Sequence, residues 1–195
     1  MQSWDACIDD NYKPILPSRD STLFVGVDAS LKHDSSAVVA VTYNHDDGRV
    51  VLARHRIWTP IKGQTLDLDA TIGSFLRDLG AGYHVASVVY DPWQMADLSR
   101  RLERDGLPMV EFPQSSPNLT SMSQNLFELI THQNIQLYAD SELRTHAAHC
   151  VATESSRGWK ISKEKAANKI DGIVALAMAS LEAIRGSSQP FGVIG

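Results

Sequence analysis

Val25-Gly26-Val27-Asp28-Ala29-Ser30 starts as an apolar run and stops on an acid. Taken from Leu23, it is a short strand with Asp28 where the strand runs out, so the carboxylate is expected to project from a strand's carboxyl end. Working outward, Ala37 to Tyr43 is a β-branched run, and Asp46-Asp47-Gly48 carries turn chemistry. From Arg49 to Trp58, Val51, Ala53, His55 and Ile57 alternate with Val50, Leu52, Arg54 and Arg56. Three strands joined this way predict an antiparallel meander.

Past Pro60 the period changes. Leu66, Leu68, Ile72, Phe75, Leu76 and Leu79 recur at helical spacing until Gly80 and Gly82, which are expected to stop the helix. Val85 to Tyr90 is a continuous apolar strand of the kind buried on both faces. Asp91 ends it, and Pro92 suits a first helical position, with Gly106 closing that helix. Met109 to Phe112 reads as another strand, the stretch from Pro117 as helix, Ile135 to Tyr138 as extended chain, and Ser141 to Cys150 as helix. Residues 151–165 predict a hairpin around Ser155-Ser156-Arg157-Gly158, and Asn168 to Ile184 is a helix apolar nearly all round, hence buried. The fold class expected is α/β: a mixed sheet, made of the three-stranded antiparallel meander plus parallel strands, flanked by helices. Residues 1–20 are expected to be an arm or linker, 21–186 one domain, and 187–195 a tail.

The chain has 195 residues, 43% of them hydrophobic, enough for one well-buried domain. A formal charge of −5 and a pI near 5.8 exclude a broad basic surface for nucleic acid, so any DNA contact must be local or bridged by metal ions. Cys7 and Cys150 lie far apart and match neither a disulfide framework nor a CxxC zinc pattern. No signal peptide or membrane span is expected, which points to a soluble intracellular protein.

Asp28, Asp91 and Asp171 are the candidate catalytic and metal-binding residues. Each also has a structural role open to it. Asp28 can serve its own turn, Asp91 can cap the helix that Pro92 begins, and Asp171, in Asn168-Lys169-Ile170-Asp171-Gly172, can complement a helix dipole with Asn168 as cap. If the strands bearing Asp28 and Asp91 are neighbours, both acids emerge at one sheet edge, and a buried helix crossing that edge brings in Asp171. Three converging carboxylates repel unless cations hold them, and oxygen ligands suit Mg2+ or Mn2+. Two such ions about 4 Å apart serve phosphodiester hydrolysis, and no GxSxG elbow or matched Cys–His motif offers a competing nucleophile.

The Val-Gly-Val-Asp-Ala-Ser start, the Val-Val-Tyr-Asp-Pro-Trp-Gln segment and the closing Asn-Lys-Ile-Asp-Gly-Ile-Val-Ala-Leu-Ala helix together resemble the C-terminal nuclease domain of tailed-phage large terminase subunits, in the RNase H-like superfamily. The resemblance runs from Leu23 to Ile184. It implies that Asp28, Asp91 and Asp171 bind two divalent ions, Mg2+ or Mn2+, and that the enzyme cuts concatemeric double-stranded DNA in the host cytoplasm during genome packaging. It further implies an accessory acid, which Asp34 fits, and DNA contacts from a hairpin bearing Arg157, Lys160, Lys163 and Lys165; the alternatives are a turn aspartate and a solvated loop. The family's partners are an ATPase motor domain, a portal protein and a small terminase subunit. No GxxxxGK[ST] loop occurs here, so ATP-driven translocation is expected on another domain or chain.

Other signals point elsewhere. His146 and His149 share a helix face with Cys150 nearby, yet no further zinc ligand has suitable spacing, which favours an ordinary packed helix. Trp58, Trp93 and Trp159 flank strands and are expected in the core. The same acids would also serve a junction resolvase or ribonuclease of RNase H-like type, and in a non-catalytic assembly module they would be helix caps. An actin-like ATPase would need phosphate loops that are missing.

Overall fold

Two-residue alternation in the opening strands decides how the molecule is layered. The computed structural model describes residues 1–30, 35–61, 63–155, 158–165 and 167–187. In it, β1 (Thr22–Asp28), β2 (Ser36–Asn44) and β3 (Arg49–Trp58) form the antiparallel meander. β4 (His84–Tyr90) adds parallel to β1, β5 (Met109–Glu111) parallel to β4, and the short β6 (Ile135–Gln136) parallel to β3. The sheet order is β5-β4-β1-β2-β3-β6.

Successive side chains leave opposite faces of a strand. Val25, Val27, Val38, Ala40 and Val88 therefore pack with α2 (Ser74–Gly82) and α3 (Pro92–Arg104) on one face. Val39, Val41, Leu52 and Val89 pack on the other with α4 (Ser116–Thr131), α5 (Ser141–Ala148) and α6 (Asp171–Ser187). The result is helix, sheet and helix in three layers, with two cores. α6 is buried from Asp171 to Leu181 and lies across β1 and β2. It comes so near β1 that a Cβ on Gly26 would stand 2.1 Å from the Ala175 carbonyl oxygen. Only glycine admits a backbone at that distance.

A separate two-stranded hairpin, β7 (Cys150–Ser155) and β8 (Gly158–Lys163), precedes α6, as the sequence predicts. It is fastened to α4 by the Ile161 N–H, which donates to Ser123 Oγ at 2.9 Å, and by the edge-to-face pair of Phe127 and Trp159.

Three boundaries differ from expectation. The helix after Pro60 opens with a π-helical turn, Asp69–Gly73, which Arg77 secures by ion pairs to Asp69 and Asp105. Gly80 does not stop α2 but sits inside it, where a Cβ would stand 2.9 Å from Leu107 Cδ2; the residue is small because Leu107 packs on it. α6 begins at Asp171 rather than Asn168, whose N–H is taken by the Lys165 carbonyl in a preceding turn.

Residues 1–20 pack on the domain itself. α1 (Gln2–Asp5) and the residues after it place Trp4 and Cys7 in the core, and Asp5 forms a two-pronged ion pair with Arg144 at 2.8 and 2.9 Å. Ile8 bridges to Leu137, and Tyr12 donates its hydroxyl to the Leu52 carbonyl. Cys7 and Cys150 are free thiols. Among the described residues no helix is long and apolar enough to cross a membrane.

Candidate functional site

β1 and β4 are adjacent and parallel, with Val27 opposite Tyr90, so Asp28 and Asp91 follow at the same sheet end. Alternation sets the face. Gly26 faces α6, and Asp28, two residues on, falls on the same side. Val89 belongs to the α6 core, and Asp91 shares its parity. In β2 the inward series Ala37, Val39 and Val41, read backwards, puts Ser35 on that face as well. The sequence holds this signal for Ser35, but a serine beside a turn does not advertise it.

The structural roles of the acids coexist with this convergence. Asp91 is the N-cap of α3: its Oδ1 accepts from the Trp93 N–H at 3.2 Å, with Pro92 behind it. The cap takes one of two carboxylate oxygens. Asp171 opens α6 at 5% exposure, and the fully buried Ser35 hydroxyl donates to its Oδ2 in a short contact. A carboxylate at a helix start is favoured by the dipole, and a donated hydroxyl lowers the cost of burying it. Ser36 and Ser30 exchange hydrogen bonds at 2.9 and 3.0 Å, which ties the end of β1 to the start of β2.

Asp28, Asp91 and Asp171 line one open cleft of about 520 Å3. Gln94 and Gln114 line it too, and β8 contributes Lys160, Ser162 and Lys163. The acids share the cleft without collapsing onto one point: among the described residues no three Asp, Glu, His or Cys side chains form a ready ion cage. Oxygen donors without thiol or imidazole among the described lining residues are a donor set that fits hard divalent cations. Two larger hollows, of about 610 and 760 Å3, contain none of these acids.

Asp34 and Arg157 lie outside the described residues. Lys165 is exposed and is not part of the cleft lining, unlike Lys160 and Lys163. Trp93 corrects an expectation: it is 86% exposed rather than core, because it stands two positions before Met95, on the side of α3 away from the face that Met95, Leu98 and Leu102 bury. Trp58 and Trp159 do pack, against Phe75 and Phe127. His146 is buried on α5, and its Nδ1 accepts the Gly172 N–H at 3.1 Å, next to Asp171. Burial lowers its pKa, and the opposing pull of Asp171 is weaker.

A model of the terminase large subunit endonuclease domain matches residues 68–187. The chain belongs to that family. The matched span holds Asp91 and Asp171 and begins after Asp28. This terminase nuclease domain is 23% identical over 185 residues to the terminase large subunit of Enterobacteria phage HK97, an alignment covering 80% of this chain and 36% of that protein. The chain thus spans only about a third of that relative's length. The crystal structure of the HK97 large terminase is similar with a TM-score of 0.76 at 20% identity, over 93% of this chain and 42% of the other. The large terminase nuclease of thermophilic phage G20c, crystallised with magnesium, gives a TM-score of 0.69 at 19% identity, over 91% and 94% of the two chains. That nuclease has also been crystallised with cobalt and with zinc. The fold is therefore that of the RNase H-like terminase nucleases.

Proposed function

We propose that this terminase nuclease domain is a metal-dependent endonuclease that cuts double-stranded, concatemeric viral DNA during genome packaging. Asp28, Asp91 and Asp171 would hold two divalent ions, Mg2+ or Mn2+. The observation that carries this reading is that acids from two parallel strand ends and one helix start line a single cleft together with Lys160 and Lys163. Divalent ions held there would supply the Lewis acidity for in-line attack of water on a phosphodiester.

The chain's own residues have separable tasks. The hydrogen bonds from Ser35 to Asp171 and from the Trp93 N–H to Asp91 hold one oxygen of each carboxylate, so both would meet a cation in set orientations. Lys160 and Lys163 line the cleft and would contact a phosphate backbone entering it. Asp34, Arg157 and Lys165 are proposed as an accessory ligand and outer phosphate contacts. The relative's greater length supports a motor domain acting alongside; a portal protein and a small terminase subunit, in the host cytoplasm, are the further partners proposed.

Asp91→Asn separates the two duties of that residue, because asparagine caps a helix as well as aspartate does but carries no charge. Wild-type protein with Mn2+ or Mg2+ should nick and linearise supercoiled plasmid, and EDTA should stop it. Asp91→Asn should melt like wild type and not cut. Cutting by Asp91→Asn at the wild-type rate would refute the assignment. Preferential cutting of four-way junctions or RNA–DNA hybrids would instead favour a resolvase or ribonuclease.

A further inference from the structure

His146 on α5 and His149 at its C-cap look like half a zinc site in sequence, and the fold uses them differently. His146 is 4% exposed, and its Nδ1 accepts the Gly172 N–H at 3.1 Å. One helical turn on, His149 Nδ1 stands 3.2 Å from the Lys169 carbonyl oxygen. The two contact points, Lys169 and Gly172, bracket Ile170 and Asp171.

We infer that His146 and His149 are positioning residues that clamp the chain entering α6 from both sides of Asp171, setting how far its carboxylate reaches into the cleft. This inference rests on the nuclease reading above. The first N–H groups of a helix have no acceptor within it, and at a buried helix start one must be found elsewhere. For Gly172 the imidazole supplies it. The fit is close: a Cβ on Gly172 would stand 2.9 Å from Leu143 Cδ1, 3.1 Å from Ile57 Cδ1 and 3.2 Å from His146 Nδ1. α5 and β3 thus press directly on the first turn of α6.

The clamp is itself held. The Cys150 thiol donates to the His146 carbonyl at 3.3 Å, and the Glu164 N–H donates to the His149 carbonyl at 2.9 Å, which joins α5 to the end of the hairpin. With Ser35 on the sheet side and the histidines on the helix side, the Asp171 segment is gripped from two layers. Partners of this kind, behind metal-binding carboxylates, set affinity through orientation.

The test compares wild type, His146→Leu, His146→Asn and His149→Leu, well below their melting temperatures. Two readouts are taken: the Mn2+ concentration giving half-maximal plasmid cutting, and the rise in Tm that Mn2+ alone produces. Asparagine can place an amide oxygen about where Nδ1 stands, so His146→Asn should stay within about threefold of wild type, while His146→Leu should need at least about tenfold more Mn2+ in both assays. A merely structural role would lower the metal-free Tm and leave the Mn2+ midpoint unchanged. His146→Leu with the wild-type midpoint, or His146→Asn as impaired as His146→Leu, would overturn the clamp alone. Should His146→Leu not fold, the half-exposed His149→Leu decides, and an unshifted midpoint there overturns it as well. Wild-type protein with neither Mn2+ stabilisation nor cutting would overturn the nuclease reading and the clamp together.

Discussion

Gly26→Ala adds one methyl group where the fold has no room for it. Its carbon would stand 2.1 Å from the Ala175 carbonyl oxygen and 2.9 Å from the Ala179 nitrogen, atoms of the α6 backbone that no rotamer change can move. Ordinary contact begins at 3.4 Å, so helix and strand must separate by about 1.3 Å. Overpacking of this kind costs about 1–3 kcal/mol, and alanine regains about 0.5–1 kcal/mol over glycine in a strand. The net expectation is a loss of about 1.3 kcal/mol, or about 0.6 M in urea midpoint at a slope of about 2 kcal/mol/M. Asp171 lies one turn from Ala175 on the same face, so it moves with the helix. A displacement near 1 Å in a catalytic group costs about a hundredfold in rate. Urea titration and plasmid cleavage, both at a temperature where the variant is folded, measure the two effects. Val25→Ala is the control, since Val25 faces the α2 and α3 core and its loss should lower stability without moving α6. If Gly26→Ala keeps its urea midpoint, or is destabilised yet cuts like wild type, the close approach does not set the site.

The remaining expectations concern side chains. Ser35→Ala removes the buried hydroxyl that serves Asp171 and should cost about 1.5–3 kcal/mol in urea denaturation, the range for hydrogen bonds to charged groups; a loss of a few tenths would show that the contact is incidental. Lys160→Ala and Lys163→Ala in the cleft lining, and Lys165→Ala as an outer contact, should each lower the slope of log affinity for duplex DNA against log salt by about 0.9, measured in EDTA, and a variant keeping the wild-type slope would take that lysine off the DNA path. His55 is buried against the Tyr138 hydroxyl at 2.6 Å, and burial holds its pKa down against the raising pull of Asp140. A depressed native pKa means that the unfolded chain takes the proton first, so stability is full above the unfolded value of about 6.5 and falls as pH drops through the native value. The urea midpoint should therefore fall between about pH 8 and pH 5.5 by less in His55→Gln than in wild type, and an equal fall would rule His55 out as a source of the acid sensitivity.

Much of this was legible in the chain. The meander, the buried strand before Asp91, the hairpin and the buried last helix all announce themselves by period and turn chemistry, because each depends on neighbours in sequence. What escaped depends on distant partners. Gly80 looks like a helix stop until Leu107 is seen packed on it. Trp93 looks like core by composition, yet it falls on the side of α3 away from Met95, Leu98 and Leu102, which face the sheet core. His146 and His149 mimic a metal motif, but their acceptor and donor atoms face a helix start that arrives only after the hairpin. Of the acids, the candidates themselves were readable; that Ser35 would serve Asp171 followed from parity along β2, a signal present but unremarkable until the faces were known.

The alternation that aims Asp28, Asp91 and Ser35 at α6 makes the cleft sensitive to counting rather than to chemistry at most strand positions. Inserting a single residue between Gly26 and Asp28 would swing the carboxylate to the α2 side, while the strand still paired and the core still filled. Inserting two would restore its direction but push it about 6.6 Å further out. Substitutions along β1 can thus drift within the limits of packing, whereas its length is held to a single value.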